Sequence, residues 1–259
     1  MLRPRITPCL LVHRRGLVKT VQFKSPKYVG DPINAVKIFN EKEADELIVV
    51  DIDATVDGVE PDFTMIRQLA VECRMPLCYG GGVKTAAQAK RIVALGVEKV
   101  AVSAAAVDNP ALISQMAQEV GSQSVVVVLD VRKTSKAAGY EVCTHNGKRA
   151  TGKSPLQLAA DAEARGAGEI VINSIDRDGQ MKGYDLELAA MIRKATRLPM
   201  TVLGGAGSLA DVDELIRTLG VMGAAAGSMF VFKGTYRAVL INYPNHAQKE
   251  ALIGAALSH

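Results

Sequence analysis

The 259-residue sequence predicts a single (β/α)8 barrel, an α/β fold built from two half-barrels. Three features carry that prediction. Eight short apolar runs alternate with longer amphipathic runs, the boundaries fall at Gly, Pro or Asp, and the chain repeats itself once at a fixed offset. The apolar runs occupy residues 6–12, 47–52, 76–79, 99–103, 124–130, 169–174, 199–203 and 221–227. They are β-branched or small and apolar on both faces, as buried parallel strands are. An open doubly wound sheet is the alternative, and it accommodates eight units less well.

The first run leads into a long basic stretch, 13–31, containing Arg14, Arg15, Lys19, Lys24 and Lys27. It reads as a loop. The segments between later runs have helical period. One sets Phe63, Ile66, Leu69, Ala70 and Cys73 on one face, and another does the same for Leu209, Val212, Leu215, Ile216 and Leu219. Asp31-Pro32, Asn109-Pro110 and Ser154-Pro155 each read as an N-cap followed by proline at the first helical position. Thr85 and Ser208 open the helices that follow two glycine turns. After the fifth run, residues 132–151 form a second long stretch, in which an apolar segment ends at Asn146-Gly147, a hairpin signal. Both stretches leave the C-terminal ends of strands, where such barrels carry chemistry, so both are candidate lids.

The internal repeat orders these elements. Glu46-Leu47-Ile48 recurs as Glu169-Ile170-Val171, Ile52-Asp53 as Ile175-Asp176, and Gly81-Gly82 as Gly204-Gly205, all at an offset of 123 residues. Two half-barrels of four units, about 1–122 and 123–259, account for the register. The whole chain is then one domain.

Composition narrows the function. The net charge is +4, with 31 Lys+Arg against 27 Asp+Glu and no long basic run, which disfavours duplex nucleic acid. Aromatic residues are 4% with no Trp, which disfavours single-strand stacking platforms. Cys9, Cys73, Cys78 and Cys143 form no Cys-x-x-Cys, and no histidine stands at ligand spacing from them, so no metal, cofactor or disulfide is expected. The run near Met1 lacks a small-residue cleavage site, and no stretch is long and apolar enough for a membrane span. A cytoplasmic protein handling anionic metabolites fits these limits.

Two symmetry-related sets of small residues offer phosphate cradles. Gly81 and Gly82 end the third run with Ser103 ending the fourth; Gly204 and Gly205 end the seventh with Gly227 and Ser228 ending the eighth. Backbone N–H groups at a glycine turn before a helix bind anions. Among the acids at strand ends (Asp51, Asp53, Asp130 and Asp176), Asp130 is the sharpest acid–base candidate, because it closes an unbroken apolar run. Asp178-Gly179 reads as a turn.

Taken together, Ile175-Asp176-Arg177-Asp178-Gly179, Arg165-Gly166-Ala167-Gly168-Glu169, Tyr79-Gly80-Gly81-Gly82, Gly204-Gly205-Ala206-Gly207 and the opening Arg5-Ile6-x-Pro8-Cys9-Leu10 resemble the cyclase subunit of imidazole glycerol phosphate synthase. The resemblance runs from residue 1 to about residue 232. It implies a (β/α)8 barrel that pairs with a class I glutaminase as a heterodimer. Ammonia would pass through the barrel to a two-phosphate substrate, giving imidazole glycerol phosphate and an aminoimidazole carboxamide ribotide. By the same resemblance Lys19 and Asp176 belong to the ligand site, and Arg5, Glu46, Lys99 and Glu169 form a ring of charges that gates ammonia at the N-terminal face.

Two departures alter that expectation. The family's second catalytic aspartate matches Asp130, but the first falls on Leu11, and Leu203 stands where a serine is usual. A leucine neither gives nor takes a proton. With the gate intact, the chain resembles a branch that serves acetamidino modification of surface polysaccharide sugars, beside a glutaminase and an ATP-dependent sugar amidotransferase. The competing expectations are a working histidine-pathway cyclase, a phosphosugar isomerase on the same half-barrels, and a non-catalytic scaffold for a glutaminase.

Overall fold

The computed structural model describes residues 3–135, 139–220 and 222–257. Val221 at the head of the eighth run, residues 136–138 of the second long stretch, and Met1, Leu2, Ser258 and His259 lie outside the described residues.

The chain enters through β1 (Arg5–His13), doubles back in β2 (Gly16–Val21) and β3 (Lys24–Gly30), and crosses α1 (Pro32–Glu41) to β4 (Leu47–Asp51). Next come α2 (Phe63–Glu72), β5 (Leu77–Gly80), α3 (Ala86–Ala94) and β6 (Lys99–Val102). The short α4 (Ala104–Asp108) and then α5 (Ala111–Val120) lead to β7 (Val125–Lys133). A hairpin of β8 (Tyr140–Thr144) and β9 (Arg149–Ala150) precedes α6 (Pro155–Ala164). The series β10 (Glu169–Ser174), α7 (Leu186–Ala195), β11 (Met200–Leu203), α8 (Leu209–Leu219) and β12 (Gly223–Ala226) completes the barrel. A helical turn, α9 (Ser228–Val231), a ribbon of β13 (Phe232–Lys233) and β14 (Ala238–Val239), and α10 (His246–Leu257) follow.

Parallel pairing runs from β1 through β4, β5, β6, β7, β10, β11 and β12 and returns to β1. The eight-stranded ring is therefore closed, as the eight runs predict. Alternation along each strand divides two cores. Outward residues such as Leu10, Leu47, Val127 and Ile170 pack with Phe39, Ile66, Ile92 and Leu215 from the helices. Inward residues Cys9, Ile48, Cys78, Ala101, Val126, Val171 and Ala225 fill the barrel.

The helix starts follow local chemistry. The Asp31 carboxylate accepts the Asn34 amide, and Thr85 and Ser208 each close a reciprocal capping box with Gln88 and Asp211. Ser154-Pro155 opens α6 without a side-chain cap bond. Asn109-Pro110 differs from expectation: Pro110 is itself the N-cap of α5, because Asn109 already terminates α4.

The basic stretch 13–31 is a second departure. It is an antiparallel hairpin, with Leu11 opposite Val18, rather than an irregular loop. Its turn places Gln22 and Phe23 at φ 53° and 62°, residue types without the Asn-Gly signature of such turns, which hid it from pattern reading. Among the described residues, no helix is long and apolar enough to cross a membrane.

Phe39 is fully buried between the ring and the helical layer. Phe39→Ala is expected to cost about 3–5 kcal/mol of unfolding free energy, read by denaturant titration.

Candidate functional site

The C-terminal ends of the strands open into two cavities. The larger has a volume of about 150 Å³ and is lined by Gly81, Gly82, Ser103 and Asp130, with Asp51, Asn173, His145 and Asn146. The smaller, about 40 Å³, is lined by Lys19, Gly204, Gly205, Gly227 and Ser228, with Asp178. Cys9, Leu11, Phe23, Asn173 and Leu203 form the wall between them, lining both. The two glycine turns thus face opposite sides of one partition. Asp176 lines neither cavity; its carboxylate accepts the backbone amide of Lys133 at 2.7 Å.

The glycines are required by geometry. Gly81 and Gly82 have φ 116° and 73°, and Gly204 and Gly205 have φ 95° and 110°. A Cβ at Gly81 would strike the Asp51 carbonyl, and one at Gly205 would strike the Gly183 carbonyl. Only glycine brings backbone this close while adopting such angles.

Asp130 projects from β7 into the larger cavity, where the Asn173 amide donates to it at 2.9 Å. Burial pushes its carboxyl up to about 6; the Asn173 hydrogen bond opposes that only in part. A carboxyl so placed exchanges a proton near neutral pH, as an acid–base group needs. The Ser103 hydroxyl also lowers the Asp130 value, and among the described residues the Asn173 carbonyl is buried without a partner. Polar atoms in that state await water or ligand. No carboxylate faces Asp130 from β1, because Leu11 occupies the matching inward position.

Lys19 reaches from the hairpin into the smaller cavity. It is 5% exposed, and its ammonium donates to the Cys9 carbonyl at 2.5 Å. Burial holds it below the usual lysine range, against the opposing pull of Asp178. Gly227 leaves room for this ammonium, since a Cβ there would lie 2.7 Å from Lys19 Nζ. A buried cation beside glycine backbone is chemically suited to an anion. Asp178 also holds the lid. Its carboxylate accepts from Thr20 Oγ1 at 2.7 Å and the Phe23 amide at 3.1 Å, and its carbonyl accepts the Gln22 amide at 3.0 Å.

At the opposite end the barrel is floored by charge. Arg5 contacts Glu46 at 2.8 Å and Glu169 at 2.7 Å; Lys99 contacts the same two carboxylates at 2.6 and 2.7 Å. All four expected floor residues therefore meet in one closed ring. Burial pushes Glu46 up, whereas Arg5, Lys99 and the Thr201 hydroxyl outweigh burial at Glu169 and hold it down. Among the described residues, no group of three or more His, Cys, Asp or Glu side chains is placed to hold a metal ion.

Sequence reading missed Asn173, His145, Phe23 and Asp178. Strand alternation from Glu169 through Val171 points to Asn173. His145 and Asn146 reach the cavity because the β8–β9 hairpin folds over it, with Asn146 donating to the Ile52 carbonyl at 2.8 Å. That contact joins residues 94 apart in sequence and leaves no local signal.

Asp130 makes stability depend on pH. Its raised folded-state value means stability is fully present below about pH 4 and is lost as pH rises through about 6. Asp130→Asn removes that loss. Relative to the unchanged chain, the variant is expected to gain about 2–3 kcal/mol between pH 4 and pH 8, measured by urea unfolding at both pH values.

The family model for histidine biosynthesis proteins matches residues 5–237. A Leptospira interrogans protein with the provisional name of imidazole glycerol phosphate synthase subunit HisF is 58% identical over 252 residues, covering 97% of this chain and 99% of that protein. A Pseudomonas aeruginosa protein provisionally named as subunit hisF2 is 52% identical, over 95% of this chain and 97% of its own. The imidazole glycerol phosphate synthase subunit HisF of Streptomyces coelicolor is 39% identical, over 88% of this chain and 90% of its own. With the closed ring, the paired glycine turns and a family match across most of its length, the chain belongs to the histidine biosynthesis protein family, as a HisF-like cyclase subunit.

Proposed function

We propose that this HisF-like subunit conducts ammonia from a class I glutaminase partner through its barrel, for amidation of a surface sugar of the O-antigen type. One observation carries the reading. Leu11 stands in the wall between the two cavities where an acid–base pair with Asp130 needs a carboxylate, while the four-charge floor is complete. A barrel that has lost half its proton-handling pair retains a use as a conduit.

The interior chemistry supports passage of a neutral amine. Above the floor the inward residues are Cys9, Ile48, Cys78, Ala101, Val126, Val171 and Ala225, and the larger cavity reaches down to several of them. Burial pushes the Cys9 thiol up to about 11 and raises Cys78 as well, so both stay uncharged. Apolar walls favour ammonia over ammonium, whose desolvation costs far more. In this reading the floor meets the glutaminase, the two cavities hold a phosphorylated ligand or its remnant site, and an ATP-dependent sugar amidotransferase receives the ammonia.

A second reading, an authentic cyclase of histidine biosynthesis, is favoured by Asp130 itself and by the Lys19 cavity. The ammonia-dependent cyclisation assay decides between them. Purified chain given ammonia and the two-phosphate cyclase substrate is expected to turn over about 10²–10⁴ times more slowly than an intact acid–base pair allows. Leu11→Asp is expected to raise that rate. Turnover at a full enzymatic rate without the substitution overturns the conduit reading.

The floor has its own test. Lys99→Ala leaves Glu46 and Glu169 short of a cation, which costs stability of about 3–5 kcal/mol. In the complex with its glutaminase, the variant is expected to release more glutamine-derived ammonia to solvent, measured by coupled dehydrogenase assay. Unchanged release removes the gate assignment.

A further inference from the structure

The segment following the family match has no part in the mouth or the conduit wall, yet it touches the floor's supports. The match ends at residue 237, and Tyr243 and Lys249 lie beyond it. Tyr243 packs in the outer core with its ring against Phe39 and Phe230, centroids 6.4 and 5.4 Å away. Its hydroxyl donates to the Ile6 carbonyl at 2.7 Å and accepts the Asp45 amide at 3.1 Å. The Asp45 carboxylate takes the Ile6 amide at 3.0 Å, and Lys249 donates to its other oxygen at 2.8 Å and to the Glu43 carbonyl at 3.0 Å.

These bonds stand where the sheet does not. The ladder between β1 and β4 begins only at Cys9 and Ile48. Continued downward, the same register sets Ile6 beside Asp45, and there the Tyr243 hydroxyl and the Asp45 carboxylate replace the missing strand-to-strand bonds. Ile6 adjoins Arg5 and Asp45 adjoins Glu46, so the bridge sits directly behind the Arg5–Glu46 ion pair. The other half of the ring differs. There β7 pairs with β10 down to Val126 and Glu169, within the sheet itself.

We infer that Tyr243 and Lys249 are positioning residues for the ionic floor, holding the open lower ends of β1 and β4 at the spacing the Arg5–Glu46 pair requires. A one-atom bridge fixes the separation of the two strand starts. Lys249 neutralises Asp45, which keeps that carboxylate on the Ile6 amide. The consequence for ammonia delivery rests on the function proposed above; the consequence for floor geometry does not.

The test is Tyr243→Phe in the full chain, which removes the bridging oxygen and keeps the ring packing, alongside Lys249→Met. Amide hydrogen exchange is read at Ile6, which bonds to Asp45 and not to Tyr243, and at Ile170 as the distant reference. Exchange at Ile6 is expected to rise about tenfold in either variant, with Ile170 unchanged. Ala247→Gln, on the exposed face of the same helix, is expected to alter neither. In the complex with its glutaminase, Tyr243→Phe is expected to at least double the share of ammonia escaping to solvent. Unchanged exchange at Ile6 overturns the inference. So does faster exchange with unaltered escape, provided Lys99→Ala raises escape. If Lys99→Ala alters nothing, the gate reading has failed, and exchange at Ile6 alone decides the positioning role.

Discussion

Four charged side chains at the base of this barrel compensate one another, and the Thr201 hydroxyl bonds to one of them. Arg5, Lys99 and Glu169 open β1, β6 and β10, Glu46 immediately precedes β4, and each cation touches both carboxylates. Removing any one leaves buried charge uncompensated, so the set persists or fails as a unit. Such a ring also demands that the strands arrive in phase. The alternation that aims these four inward aims Asp130, Asn173, Leu11 and Leu203 inward at the other end. Floor and mouth are thus tied by the period of the strand, and the thiols and small aliphatic side chains between them follow from the same constraint.

The mouth is divided rather than empty. Leu11 and Leu203 sit in the partition between the two cavities, with Asp130 on one side and the buried Lys19 on the other. Paired proton transfer needs two groups converging on one ligand atom. Here an apolar wall stands where the second would be. Glycine backbone at both turns and Lys19 on the Cys9 carbonyl lie on either side of that wall.

Much of this was legible in the sequence, for a definite reason. Buried parallel strands carry continuous apolar runs, and helices carry their own period and caps, so both announce themselves locally. The glycine turns occur at strand ends and could be placed by counting; the floor charges fall at strand starts, and their joining into a ring came from the family resemblance. What stayed hidden depends on contacts across the ring. Asp176 and Asp178 are two residues apart on one turn; only the folded backbone turns the first toward Lys133 and the second toward the lid. The 16–30 hairpin hid because Gln22 and Phe23 adopt angles their residue types seldom signal. Tyr243 hid because its role lies in where its oxygen ends up, beside two strand starts distant in sequence.

The hairpin couples the two cavities. Thr20, Gln22 and Phe23 are all tied to Asp178, and Phe23 roofs both cavities. Parting those ties would release the turn that carries Phe23. Movement of the hairpin at Phe23 therefore reshapes both cavities at once.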